Sequence, residues 1–273
     1  MSVHLPSLFS PRRAQQLLAF DRLLTIMDDL REKCPWDQKQ TMESLRHLTI
    51  EETYELSDAI LAGDLDEVRK ELGDILLHMV FYARIASETD TFDMGDVLNG
   101  ICDKLIARHP HIYGDTVVQN EEDVKRNWEQ LKLKEGNSSV LSGVPSSLPA
   151  LIKAMRMQEK ARGVGFDWED KTQVWAKVEE ELREFSAYQD PQTGEISDLE
   201  NAEGEFGDLL FSLVNYARFA NINPETALER TNVKFKSRFQ YLEEKARATG
   251  KSLSDMTLAE MDVFWEEAKK IAP

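Results

Sequence analysis

At 273 residues the chain is long enough for two domains of ordinary size. Its 50 acidic residues outnumber 33 basic ones, for a net charge of −17. That surface lacks the basic footprint that nucleic-acid backbones and anionic membranes require, so neither is an expected partner.

A small phosphorylated substrate is compatible with this charge, because divalent cations bridge carboxylates to phosphates. Two cysteines, Cys34 and Cys102, form neither a metal-ligand spacing nor a disulfide framework. No apolar run approaches the roughly 20 residues of a membrane span. The opening M-S-V-H-L-P-S-L-F-S-P-R-R lacks a signal peptide's apolar core, and the expected compartment is the cytoplasm.

In chain order, residues 1–16 read as a flexible arm in which Pro6 and Pro11 interrupt helix, shading into a helix from about 14 to 33. That helix carries Leu17, Leu18, Leu23, Leu24, Met27 and Leu30 and ends at C-P-W-D, where Trp36 is a packing anchor. A helix over 42–61 follows. After Gly63, Asp64 and Glu67 form a D-x-x-E capping box for the next helix. Residues 94–108 make a further helix, H-P-H-I-Y-G-D a loop, and 121–135 a charged helix with Trp128. The stretch 136–149, rich in Gly, Ser and Pro, is a linker between domains at 17–135 and 150–273. The second domain starts with a helix over 150–162. A G-V-G-F-D-W loop follows, whose Trp168 echoes Trp36. Two more helices, over 224–249 and 258–271, finish the chain. No segment alternates with period two, so the fold class is all-α: two tandem helical bundles.

Residues 50–86 organise the rest. They read as two helices joined at Gly63, the first with Glu51, Glu52 and Glu55, the second with Glu71 and Asp74. A helix turns about 100° per residue, so Glu52 and Glu55 share a face, as do Glu71 and Asp74. Acidic residues on helices are ordinarily a solvated face. Here Glu52 lies among Leu45, Leu48, Leu56 and Ala59, where an uncompensated carboxylate is costly. In the second helix Leu65, Val68, Leu72, Ile75, Met79 and Ala83 form the apolar stripe, with Glu71 and Asp74 at its edge.

The pattern recurs. Glu180, Glu181 and Glu184 repeat the E-E-x-x-E spacing, with Glu181 among Val174, Val178, Phe185 and Tyr188. E-F-G-D-L-L-F-S-L-V-N-Y-A-R-F-A, from Glu205 and Asp208 onward, matches E-L-G-D-I-L-L-H-M-V-F-Y-A-R-I-A from Glu71 and Asp74. Lys104 and Arg108 match Lys234 and Arg238, and Trp128 and Lys132 match Trp265 and Lys269. This order signals two copies of one domain. The second copy is longer at its helix–helix connection, around 190–194. His78 stands one turn beyond Asp74, but Ser212 holds that place in the second copy, so a histidine is not required.

Clustered carboxylates repel unless something neutralises them. All-oxygen ligands select Mg²⁺, with Mn²⁺ as a substitute, and no Glu-x-x-His motif points to a di-iron centre. Mg²⁺ completes its shell with water and substrate phosphates, and a Lys-x-x-x-Arg pair suits phosphate oxygens. Together these imply phosphoanhydride hydrolysis by a metal-activated water.

The doubled E-E-x-x-E and E-x-G-D motifs closely resemble those of MazG, the all-α nucleoside triphosphate pyrophosphohydrolase family. The likeness runs over about residues 20–271 and includes H-P-H-I-Y-G-D, V-G-F-D-W and K-F-x-x-R-F. It implies Mg²⁺-dependent cleavage between the α and β phosphates of ribo- and deoxyribonucleoside triphosphates, and a homodimer. It also implies metal ligands at Glu181, Glu184, Glu205 and Asp208, and at Glu52, Glu55, Glu71 and Asp74 in the first copy. Nucleotide contacts carried over fall on Lys177, Val178, Glu179, Glu180 and Glu181, on Lys234, Phe235, Lys236, Ser237 and Arg238, and on Trp265, with Lys269 joining them. One departure is the run N-A-E-G at 201–204, where the family can carry acidic and other polar residues. Glu180 is the candidate base, Lys234, Arg238 and Lys269 the cations facing the departing pyrophosphate, and Trp265 a stacking platform for the base. The rival readings are a non-catalytic nucleotide or alarmone sensor and an acidic helical scaffold.

Overall fold

The computed structural model describes residues 10–120, 123–124, 127–128 and 139–271. Most of the helix expected over 121–135, with Lys132, lies outside the described residues, as do 1–9 of the arm and 136–138 of the linker. The chain is all-α; among the described residues the β pairing is one isolated bridge, Gln189 to Ile196. It divides into two compact units, Met1–Val117 and Val118–Pro273.

In unit 1, α1 (Pro11–Lys33) begins earlier than the prolines suggest. Ser10 Oγ accepts the Arg13 N–H at 3.3 Å and Pro11 takes the first helical position, where its missing N–H costs nothing. Helix α2 (Met42–Ala62) starts at a Thr41–Ser44 capping box and ends at Gly63, whose φ of 71° is the left-handed closure that favours glycine. Asp64 then caps α3 (Leu65–Ser87), accepting the Asp66 and Glu67 N–H groups at 3.1 Å each. The expected reciprocal box is one-sided, because the Glu67 carboxylate pairs with Lys70. Helix α4 (Met94–Arg108) carries its own capping box at Asp93 and Asp96. The H-P-H-I-Y segment is not a plain loop: Pro110 opens a single helical turn, α5 (Pro110–Tyr113).

Helices α2 and α3 form the principal hairpin of unit 1, and α1 packs on α3. Met27, Leu45, Val80, Phe81, Ala83 and Met94 make the core. The expected stripe on α3 needs correcting. Leu65 is 80% exposed, and Leu72 and Met79 are exposed too, whereas Glu71 and His78 are buried. Helix α2 packs along α3, reaching Tyr82 through Thr49 Oγ1 at 2.7 Å and placing Leu45 in the core with Val80 and Phe81. The face of α3 turned to α2 includes Glu71, and α1 and α4 also pack on α3.

In unit 2, the end of the expected linker is folded. Ser139 caps a 3-10 turn, Val140–Gly143, which packs on α6 (Ala150–Gly163) with Gly143 close above the Lys160 ammonium. Helices α7 (Lys171–Ser186) and α8 (Leu199–Phe219) form the main hairpin. Their longer connection is a tight turn in which Asp190 accepts the Gln192 and Thr193 N–H groups at 2.8 and 2.9 Å. Helices α9 (Pro224–Ala248) and α10 (Leu258–Ile271) pack as a second hairpin, and α6 crosses α8.

Candidate metal centre

The α2–α3 hairpin gathers Glu52 and Glu55 against Glu71, with one carboxylate oxygen from each within 4.8 Å of the others. Leu45 and Ala59 are buried, which turns the Glu52 face of α2 toward α3. Glu71 is only 5% exposed, and its Oε2 is buried with no hydrogen-bond partner. Burial raises the Glu71 carboxyl, and the charges of Glu55, Glu67, Asp74 and Glu52 raise it further. Burial also raises Glu52, with Asp74 and Glu55 adding to the effect and His78 opposing it. Asp74 falls outside the tight triad yet lies close enough for its charge to act on both. His78 is buried with Nδ1 unpartnered.

Unit 2 builds two overlapping triads on α7 and α8: Glu180, Glu181 and Glu184, and Glu181, Glu205 and Asp208. Glu181 belongs to both and is 5% exposed, held among buried Val174 and Val178. Lys177 Nζ lies 2.8 Å from Glu180 and 2.5 Å from Glu181. Those hydrogen bonds raise the ammonium and lower Glu180. Glu184, without such a partner, is raised by burial and by the charges of Glu181 and Glu205. Four residues before the central glutamate, unit 1 has Leu48 where unit 2 has Lys177. The two clusters therefore differ in charge compensation, a contrast visible in the aligned repeats once the lysine's contacts are known.

The other expected site residues belong to different elements. Val178 is a core residue, and Glu179 accepts the Trp175 indole N–H at 2.9 Å. Lys234, Phe235, Lys236, Ser237 and Arg238 lie on α9, with Arg238 half-buried. Trp265 on α10 tilts against Phe235 at 5.2 Å between ring centroids, and Lys269 pairs with Glu266 of its own helix. The described contacts place these residues on the α9–α10 hairpin and the carboxylates on α7–α8. Sequence reasoning missed the Asp167–Arg218 ion pair that fastens the G-V-G-F-D-W loop to α8. Its only signal was the repeated Y-A-R.

The donor set suits a hard divalent cation. It is all oxygen, drawn from facing helices, and it includes in Glu71 a buried oxygen that needs a proton or a cation. Fold and clusters together define an all-α protein whose helix hairpins can chelate a divalent metal.

A family model described as the MazG nucleotide pyrophosphohydrolase domain matches residues 40–113. The Thermotoga maritima nucleoside triphosphate pyrophosphohydrolase/pyrophosphatase MazG is 42% identical over 257 residues, spanning 92% of this chain and 96% of that protein. The Escherichia coli K12 nucleoside triphosphate pyrophosphohydrolase is also 42% identical, over 92% of this chain and 97% of its own length. The Bacillus subtilis uncharacterized protein YabN is 46% identical over 98% of this chain, which spans 55% of it. The chain belongs to the MazG family of nucleoside triphosphate pyrophosphohydrolases, and it is an enzyme of the hydrolase class.

Proposed function

We propose that this chain hydrolyses ribo- and deoxyribonucleoside triphosphates between the α and β phosphates, giving a nucleoside monophosphate and pyrophosphate. The reaction occurs in unit 2. The observation that carries this reading is the meeting of Lys177 with the Glu181, Glu205 and Asp208 cluster, which pairs a cation for phosphate oxygens with an oxygen cage. The nucleoside triphosphate pyrophosphohydrolase activity for which the Thermotoga and Escherichia relatives are named supports it.

Glu181, Glu184, Glu205 and Asp208 would hold Mg²⁺, or Mn²⁺ in its place. Bound there, the ion supplies positive charge for the phosphate oxygens and acidifies water. Lys177, already seated between Glu180 and Glu181, turns its ammonium to the substrate phosphates. That leaves Glu180 free to take a proton from the attacking water as the new oxygen–phosphorus bond forms and the α–β bridge breaks. Lys234, Arg238 and Lys269 offset the charge of the leaving pyrophosphate, and Trp265 stacks on the base.

In this reading residues 17–135 and 150–273 are two MazG domains joined by 136–149. The molecule is a cytoplasmic homodimer, supported by the exposed Leu72, Leu76, Met79, Leu98, Ile101 and Leu105. One observation favours a second role for unit 1. With Leu48 in place of the lysine, its carboxylates have no such cation, which suits binding of a nucleotide or alarmone without cleavage.

The test is a panel of triphosphates with and without Mg²⁺, followed by product analysis. Monophosphate and pyrophosphate are expected only with metal. Glu205→Gln should lower turnover about a hundredfold or more, and Glu71→Gln less than about threefold. Diphosphate and phosphate as products, or a fully active Glu205→Gln enzyme, would refute the scheme.

A further inference from the structure

Unit 2 contains a cavity of about 570 Å³ outside the carboxylate cluster. Met157 and Gln158 of α6, Phe166 and Trp168 of the following loop, and Phe211 and Asn215 of α8 line it. Its size and largely apolar wall are those of a small-molecule site. Gln158 is the telling residue. It is 7% exposed, its Nε2 donates to the Phe211 carbonyl at 2.8 Å, and its Oε1 is buried with no partner. The donor bond fixes which end of the amide is oxygen, so a single acceptor is left unsatisfied at the cavity wall. An unpaired buried acceptor is costly, and a ligand N–H would remove that cost.

The aromatic rings at the cavity are unusually open. Phe166 is 82% exposed and Trp168 44% exposed, although the Asp167 between them is anchored by Arg218. Anchored backbone with uncovered rings is the arrangement of a stacking platform. On α8, Asn215 follows Asp208 by seven residues, which is about 700° of turn and about 10 Å of rise. Asn215, one of the lining residues, therefore sits on the same face of α8 as the candidate metal ligand Asp208, two turns away.

We infer that this cavity binds a planar nitrogen heterocycle of the nucleobase type, its ring against Phe166 and Trp168 and one ring or exocyclic N–H donated to Gln158 Oε1. The ring has two candidate sources: a separate nucleoside held as an effector, or the substrate's own base, in which case Phe166 and Trp168 replace Trp265 as its stacking platform. The inference rests on the proposed function only in choosing nucleosides as the probe.

The experiment titrates the full-length protein with adenosine, guanosine, cytidine and uridine in EDTA by ligand-observed NMR and calorimetry. Removing the metal lets this binding fail while hydrolysis stands, and the reverse. Saturable binding of at least one nucleoside is expected. Gln158→Met should weaken it about tenfold, the worth of one buried hydrogen bond. Because that variant also loses the bond to Phe211, the surface change Phe166→Ala serves as the second probe and should weaken binding severalfold at an unchanged melting temperature. If the nucleoside competes with triphosphate and Phe166→Ala raises KM but not kcat, the ring is the substrate's. If inhibition is non-competitive, the ring is an effector's. No saturable binding, binding that neither variant weakens, or protection of Trp168 that depends only on protein concentration would overturn the inference. The last result would mark the cavity as a contact between copies of the chain.

Discussion

Glu71 and Glu181 hold different positions of the repeat, on the second and the first helix of their hairpins, yet each is a glutamate buried at a helix–helix contact for which no hydrophobic argument exists. They are stabilised differently. Lys177 reaches Glu181, whereas Glu71 keeps an unpartnered oxygen among like charges. A carboxyl held above its ordinary value favours the folded state only while protonated. Its contribution is present below the unfolded pKa, about 4.3, and is lost as pH rises through the raised folded value. At neutral pH and without metal, Glu71 is thus a liability. Glu71→Gln should raise the melting temperature of unit 1 in EDTA and abolish the further rise that Mg²⁺ gives the parent protein. Calorimetry with and without metal checks both halves, and a Mg²⁺-dependent rise that survives in the variant would contradict them. At Lys177 the expected effect is on turnover. Lys177→Met should cut kcat about a hundredfold, the usual loss when one charge-stabilising donor is removed. Steady-state kinetics at saturating Mg²⁺ measures it.

Among elements, the loop between α6 and α7 shows how packing fixes what composition leaves open. Gly165 takes φ 88°, Asp167 accepts two bonds from Arg218, and Arg162 stands 3.8 Å from the same carboxylate. Burial pushes Asp167 up, but the Arg218 hydrogen bonds and charge outweigh it and hold the carboxyl below its ordinary range. The sign is opposite to that of Glu71. The pair stabilises fully above the unfolded value of about 3.9 and loses its contribution as pH falls through the lowered folded value. Unit 2 should therefore lose the stability this pair contributes on acidification below about pH 4. Arg218→Met should cost about 2–3 kcal/mol at neutral pH and flatten that acid dependence. Urea unfolding at pH 7 and pH 3.5 reads out both changes.

On the scale of the molecule, the hydrophobic residues outside the core are arranged by element. Leu72, Leu76 and Met79 stand on α3, and Leu98, Ile101 and Leu105 on α4. Rows of exposed apolar residues at helical spacing are ordinarily covered in a stable protein. A change of one such residue, Leu105→Glu, should shift the sedimentation coefficient from dimer to monomer while leaving helix content unchanged. A parent protein that sediments as a monomer at micromolar concentration would remove the dimer from the proposal.

Apolar residues at helical spacing, the lack of period-two alternation and the doubled acidic motifs were enough to specify an all-α chain with two carboxylate hairpins, because helical period and local capping are written in neighbouring residues. The α3 face was misread for a physical reason. Periodicity finds an apolar stripe but not which stripe a neighbour covers, and α2 covers the side with Glu71 while Leu65 and Leu72 stay in solvent. Pro11 and the turn at 140–143 were likewise decided by a cap and by packing on α6, which composition does not encode. The sequence by itself determined which residues carry charge and how they repeat. Only the tertiary structure decided how deeply Glu181 is buried beside its i,i+4 partner Lys177 and that Asp167 meets Arg218, because electrostatic energy depends on separation and burial as well as on order along the chain.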